Sequence, residues 1–123
     1  STGLGKVMMA WLPEEEVRSM LANVTFERFT EHTLANIDEV LTELVRVREL
    51  GYAEDNEENE HGLRCFAVPI YNRMGRIITG LSLSLPSVRF EESKRAELIS
   101  LLHEAAGHIS AELGYHDYPF TPC

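Results

Sequence analysis

Between Gly62 and Pro86, apolar residues alternate with small or polar ones along two runs. These are Arg64-Cys65-Phe66-Ala67-Val68-Pro69-Ile70-Tyr71 and Arg76-Ile77-Ile78-Thr79-Gly80-Leu81-Ser82-Leu83-Ser84-Leu85, split by Asn72-Arg73-Met74-Gly75. A period of two broken by a turn-forming stretch that ends in Gly predicts a β-hairpin. With Tyr71 opposite Arg76, Cys65 faces Ser82, Leu63 faces Ser84 and Ala67 faces Gly80 on one surface. Phe66 then meets Leu81, Val68 meets Thr79 and Ile70 meets Ile77 on the other. The second surface is apolar and packs; the first, lined by small and polar groups, leaves room for a ligand. Pro69 cannot donate to the ladder, and a bulge there would shift the pairing by one residue and turn Cys65 away from Ser82.

Elsewhere the period is helical. Lys6 to Leu12 reads as a short apolar helix, and Pro13 followed by Glu14, Glu15 and Glu16 starts a second that runs to about Asn23, with its acidic residues at the positive dipole end. Val24 to Thr33 has no clear period and is read as a loop with at most a short strand. Asn36 caps a third helix with Glu39 at N3; Ile37, Val40, Leu41, Leu44 and Val47 form its apolar side, and Gly51 closes it. The acidic run Glu54 to Glu60 reads as solvated surface. If the segment before His61 instead forms a strand beside the hairpin, Asp55 points inward and accepts a hydrogen bond from a ligand hydroxyl. Glu91 to Leu113 reads as a long amphipathic helix with Leu98, Leu101, Leu102, Ala105, Ile109 and Leu113 towards the core and Gly114 as its stop. This order predicts an α+β fold, helices on an antiparallel sheet, with one domain over residues 1–114 and an irregular tail over 115–123.

A chain of 123 residues, 44% of them hydrophobic, is long enough to bury one core. Eleven Lys and Arg against 20 Asp and Glu give a net charge of −9, which argues against these residues holding a DNA backbone themselves. It does not exclude an anionic ligand, because the field beside a pocket is local. Two cysteines, Cys65 and Cys123, make a poor disulfide framework and point to a reduced, cytoplasmic setting. There is no basic-then-apolar leader and no apolar run of the roughly 18 residues that a membrane span needs, so no membrane association is expected. The opening Ser1-Thr2-Gly3-Leu4-Gly5-Lys6 is motif-like, and the expectation is a piece of a longer polypeptide.

Thr2-Gly3-Leu4-Gly5-Lys6 precedes a helix, where free backbone N–H groups and the dipole favour an anion; a plain tight turn explains the same residues equally well. Cys65 reads first as a small buried hydrophobe. The rival reading, a cysteine-dependent small-molecule hydrolase, needs an activating imidazole from His61 or His103, and no orienting Asn or Asp is recognisable. His103 and His108 are five apart, about 140° around a helix, and so do not share a face for a metal. Neither a metal nor a cofactor is expected.

Four ordered blocks now stand together: Thr2-Gly3-Leu4-Gly5-Lys6 before a helix, Arg48-Glu49-Leu50-Gly51-Tyr52-Ala53 before acidic residues, Gly62-Leu63-Arg64-Cys65-Phe66-Ala67-Val68-Pro69, and Leu81-Ser82-Leu83-Ser84-Leu85-Pro86. With them the chain resembles the C-terminal effector-binding domain of the IclR family of bacterial transcriptional regulators, from its first residue to about Leu113. The resemblance implies a GAF/PAS-like antiparallel sheet flanked by helices and a pocket for a small organic acid. It also implies self-association as a dimer or tetramer, and DNA binding only through an N-terminal winged helix-turn-helix that is absent here. No catalysis is implied. Carried over by motif, the carboxylate is held by the backbone amides of Gly3 and Leu4 and by Asp55, Cys65, Ser82 and Ser84, with Leu63 on an apolar wall. Thr2-Gly3-Leu4 stands where Ser-Gly-Ala is usual, and Leu85-Pro86 where Gly-Pro is frequent. The larger Leu4 bears on effector size, and the serine pair suits a hydroxylated, sugar-derived acid. A third class, a structural assembly domain with an empty pocket, needs none of these contacts.

Overall fold

The side chain of Asn36 accepts a hydrogen bond of 2.9 Å from the Glu39 amide, and Gly51, at φ 80°, returns its amide to the Val47 carbonyl at 2.8 Å. Both ends of the third helix therefore form as its sequence dictates, because each cap satisfies a backbone group the helix leaves over. The computed structural model describes residues 3–22, 36–56 and 62–120. In chain order these hold α1 (Gly3–Ala10), α2 (Glu14–Leu21), α3 (Ile37–Leu50), β1 (Ala53–Asn56), β2 (Leu63–Tyr71), β3 (Ile77–Pro86), two single 3₁₀ turns and α4 (Arg95–Glu112). The expected loop at 24–33, the end of the acidic run with His61, and Cys123 lie outside the described residues.

The strands form an antiparallel sheet in the order β1-β2-β3 with helices on both faces, the α+β arrangement expected. On one face α1 and α3 cover a core of Val7, Ala10, Val17, Val40, Leu44, Val47, Ala53 and Ala67. On the other, α4 covers Phe66, Val68, Ile70 and Tyr71. Each fully buried Val, Leu, Ile or Phe among these contributes about 1.5–3 kcal/mol through loss of apolar surface from water. Tyr118 joins this second core, donating its hydroxyl to the Pro69 carbonyl at 2.7 Å, and Tyr115 stacks on Tyr71.

Three details depart from the sequence reading. First, α1 begins at Gly3 and not at Lys6, so Gly3 and Leu4 belong to its first turn rather than to a turn before it. Second, α4 begins at Arg95, and the inward stripe is Ile99, Leu102, His103, Ala106 and Ser110. Leu101, Ile109 and Leu113, expected inside, are substantially exposed.

Third, the hairpin register is shifted by one full pair. Tyr71 pairs with Ile77 and not with Arg76. The turn is one residue longer than expected because the Asn72 carboxamide accepts from the amides of Met74 and Arg76, and the Asn72 amide bonds the Arg76 carbonyl at 2.8 Å. A bulge then falls at Ile70/Tyr71, not at Pro69, and leaves Ile78 over. Cys65 therefore pairs with Ser84, Ala67 with Ser82, Leu63 with Pro86 and Pro69 with Gly80. Phe66 meets Leu83, Val68 meets Leu81 and Ile70 meets Thr79. The expected pairs Cys65/Ser82, Leu63/Ser84 and Ala67/Gly80 do not form. From Ile70/Thr79 onward the two one-residue shifts add to an even number, so those side chains keep their expected faces, whereas Ile77 is set opposite Tyr71 instead of Ile70.

Candidate functional site

Ala53 and the first three residues of the acidic run form β1, with Asp55 opposite Cys65 and Ala53 opposite Ala67. Paired residues of neighbouring antiparallel strands project to the same side. Asp55, Cys65 and Ser84 thus form one row across the whole sheet, and Ala53, Ala67 and Ser82 form the next. Asp55 is buried at 5% exposure, Cys65 is half-buried, and Ser82 and Ser84 are exposed. A hydrogen bond of 3.1 Å joins the Cys65 sulfur to the Ser84 hydroxyl. Leu63, paired with Pro86, closes the row beyond as an apolar end wall.

The small-residue face divides into two parts. Ala67 is fully buried beneath α1, and a methyl group placed on Gly3 would lie only 3.4 Å from the Ala67 Cβ. Here small residues serve close packing. Further along, Met8, Trp11 and Leu12 border Tyr71, Gly75 and Ile77, so α1 runs from the middle of β2 towards the hairpin turn. Its N-terminal end is therefore directed at the Asp55-Cys65-Ser84 row. Helix N–H groups point towards the N-terminus and carry its partial positive charge, so the amides of the first turn, Gly3 and Leu4 included, face that row. Asp55, Leu63, Cys65, Ser82 and Ser84 share one face of the sheet, and on that face Gly3 lies over Ala67 and Leu4 over Gly80.

Lys6 is a participant that the sequence reading did not single out. It is 2% exposed, donates from Nζ to the Glu54 carbonyl at 2.7 Å and lies 3.6 Å from the Glu43 carboxylate. The signal was its place in the series 3, 6, 7, 10, the buried face of α1. Glu54, next to Asp55, sends its side chain to the opposite face and pairs with Arg64 and Arg95. His103 also belongs to that opposite face, where its Nε2 lies 2.8 Å from the Gly51 carbonyl and its ring stacks on Phe120. Burial holds its pKa below the ordinary 6.5. The sheet separates His103 from Cys65, which removes it as the base of a cysteine nucleophile. His108 is exposed on α4, and among the described residues no group of His, Cys, Asp and Glu is placed to hold a metal ion.

Two cavities of about 370 Å³ lie elsewhere, one lined in part by Tyr52, Arg95, Ile99, His103 and Phe120, the other by Met8, Trp11, Tyr71 and Ile77. Neither includes any of the seven residues. Two polar groups of the first are already engaged, His103 with Gly51 and Arg95 with Glu54 and Glu92.

The model of the family described as bacterial transcriptional regulator IclR, C-terminal, matches residues 1–111. The HTH-type transcriptional regulator KdgR of Dickeya chrysanthemi is 52% identical over 120 residues, 98% of this chain and 39% of that protein. The crystallised C-terminal domain of the Escherichia coli regulator KdgR superposes with a TM-score of 0.89 at 49% identity, over 94% of this chain and 70% of that one. The inducer-binding domain of an Acinetobacter PobR double mutant, solved with 3-hydroxybenzoic acid, gives 0.83 at 26% identity, over 89% of this chain and 63% of that one. The chain spans less than half the length of the curated relatives it matches. Those relatives are named as regulators of transcription, not as enzymes. No helix among the described residues is long and apolar enough to cross a membrane. With a matching family model over nine-tenths of its length and the same fold beneath it, the chain belongs to the C-terminal domain family of the IclR bacterial transcriptional regulators.

Proposed function

We propose that this chain is the effector-sensing part of a transcriptional regulator. A small organic acid lies with its carboxylate at the first-turn amides of α1 and its other oxygens at Asp55, Cys65, Ser82 and Ser84, with Leu63 as the apolar end. The observation that carries this reading is the single row Asp55-Cys65-Ser84 lying in front of the α1 N-terminus. Helix amides attract the negative end of such a ligand, whereas Asp55 accepts only from a donor. A hydroxylated acid supplies both, which favours a sugar-derived acid; the aromatic hydroxy acid on the PobR domain has the same two kinds of group.

The effector acts by binding two arrangements of the regulator with different affinity, and so biases DNA binding by a winged helix-turn-helix outside these residues. Self-association as a dimer or tetramer gives those arrangements their subunit contacts. The setting is cytoplasmic, where such a regulator meets both its metabolite and its DNA. The test is calorimetry with keto, aromatic and sugar acids on the wild type, Asp55→Ala and Ser84→Ala. The acid that binds the wild type should lose about 1–3 kcal/mol of binding free energy in Asp55→Ala, where a buried partner is removed, and about 0.5–1.5 kcal/mol in Ser84→Ala, where the partner is exposed. Unchanged affinity in both variants would put the site elsewhere.

A further inference from the structure

Leu4 lies in the first turn of α1, and its side chain is turned onto the sheet. Its Cδ2 lies 2.9 Å from where a Cβ on Gly80 would stand, and Val7 Cγ1 lies 3.5 Å from the same point. No real Cβ tolerates a neighbour at that distance, so Leu4 occupies this seat only because position 80 has no side chain. Gly80 shares its face with Ser82 and Ser84, two and four residues along β3. Leu4 remains 40% exposed, which leaves its tip room to turn if the seat is filled.

The geometry points to Gly80 as a specificity-determining residue of the effector site. By parking the Leu4 side chain, it keeps the stretch over Ser82 and Ser84 open to a larger acid. An added methyl at position 80 drives the Leu4 tip out of its seat, and Ser82, exposed and next on the same face of β3, lies open to it. The added methyl also lies 3.1 Å from the Val68 carbonyl oxygen, a crowding that no change at Leu4 relieves. Loss of breadth and loss of stability are thereby separable. This inference rests on the effector reading above.

The test uses the full-length protein with glycolate, glycerate and gluconate, hydroxylated acids of rising size, in calorimetric titrations of wild type, Gly80→Ala and Leu4→Ala/Gly80→Ala. Gly80→Ala should lower the affinity for gluconate relative to glycolate by about tenfold, the usual scale of one overpacked methyl. The double variant should regain the wild-type ratio while melting below the wild type, because the Val68 crowding persists. A ratio unmoved by Gly80→Ala, or not recovered in the double variant, would overturn the role of Gly80. In parallel, the wild type should show a nuclear Overhauser effect between the Leu4 methyls and the Gly80 α-protons. Its absence refutes the parked leucine whether or not an acid binds. If none of the acids binds the wild type while that contact is seen, it is the effector reading that fails.

Discussion

Ser110 and His103 show how single polar residues fix the setting of α4. Ser110 is fully buried, and its hydroxyl accepts the Tyr71 amide at 3.0 Å, at the bulge where the β2–β3 ladder is interrupted. Ser110→Ala leaves that amide buried without its acceptor and should cost about 1–3 kcal/mol in chemical denaturation. His103 is held neutral by burial, with a pKa below the ordinary 6.5. Below that value the unfolded chain takes up a proton that the folded chain resists, so stability falls as pH drops from about 6.5 towards the folded-state pKa. In His103→Gln this part of the slope should disappear; a melting curve against pH that keeps the wild-type slope would contradict it. These two residues also explain why the helix face was misjudged. Counting apolar residues places Leu101, Ile109 and Leu113 inside, whereas the acceptor of one polar side chain and the donor to the other lie on α3's cap and on β2, out of reach of any pattern within α4.

Elements whose defining interactions are local were legible, and those defined by distant partners were not. α3 carries both of its caps in its own sequence. Asn36→Ala should lose about 1 kcal/mol, as for other N-caps. Gly51→Ala should lose more, because φ 80° disfavours a side chain and the new Cβ would lie 2.7 Å from the Phe120 ring. Urea titration of the two variants would rank them, and an equal or smaller loss for Gly51→Ala would show that Phe120 moves aside freely. The hairpin was legible in outline because its alternation is local, but its register depended on how Asn72 folds the turn and on one extra residue, Ile78. Cys65, Ser82 and Ser84 still share a face because the two shifts add to an even number. β1 was legible only as a condition, since Ala53 and the first three residues of an acidic run become a strand through Ala53 and Asp55, the two that pack inward beside β2.

At the scale of the whole molecule, β1 is the joint between the two helical layers. Lys6 from α1 bonds the Glu54 carbonyl, while the Glu54 carboxylate reaches Arg64 and, on α4, Arg95. Asp55, the next residue, faces the candidate site. A ligand held between Asp55 and the α1 N-terminus therefore binds at this joint and is lost when the fold opens, so its binding free energy adds to stability. At about 100 times its dissociation constant it should add about 2.7 kcal/mol, read as an upward shift of the melting temperature. Two neighbouring substitutions separate the joint from the site. Glu54→Gln weakens the pairs with Arg64 and Arg95, so the melting temperature falls, but the shift produced by a saturating acid persists because Glu54 contributes no side chain to the site face. Asp55→Asn keeps the size of the side chain but replaces a carboxylate that only accepts with a carboxamide that must also donate, and the ligand-induced shift should shrink or vanish. Equal shifts in wild type and Asp55→Asn, each measured at the same multiple of free acid over the wild-type dissociation constant, would remove Asp55 from the candidate site and with it the row that carries the proposed sensing function.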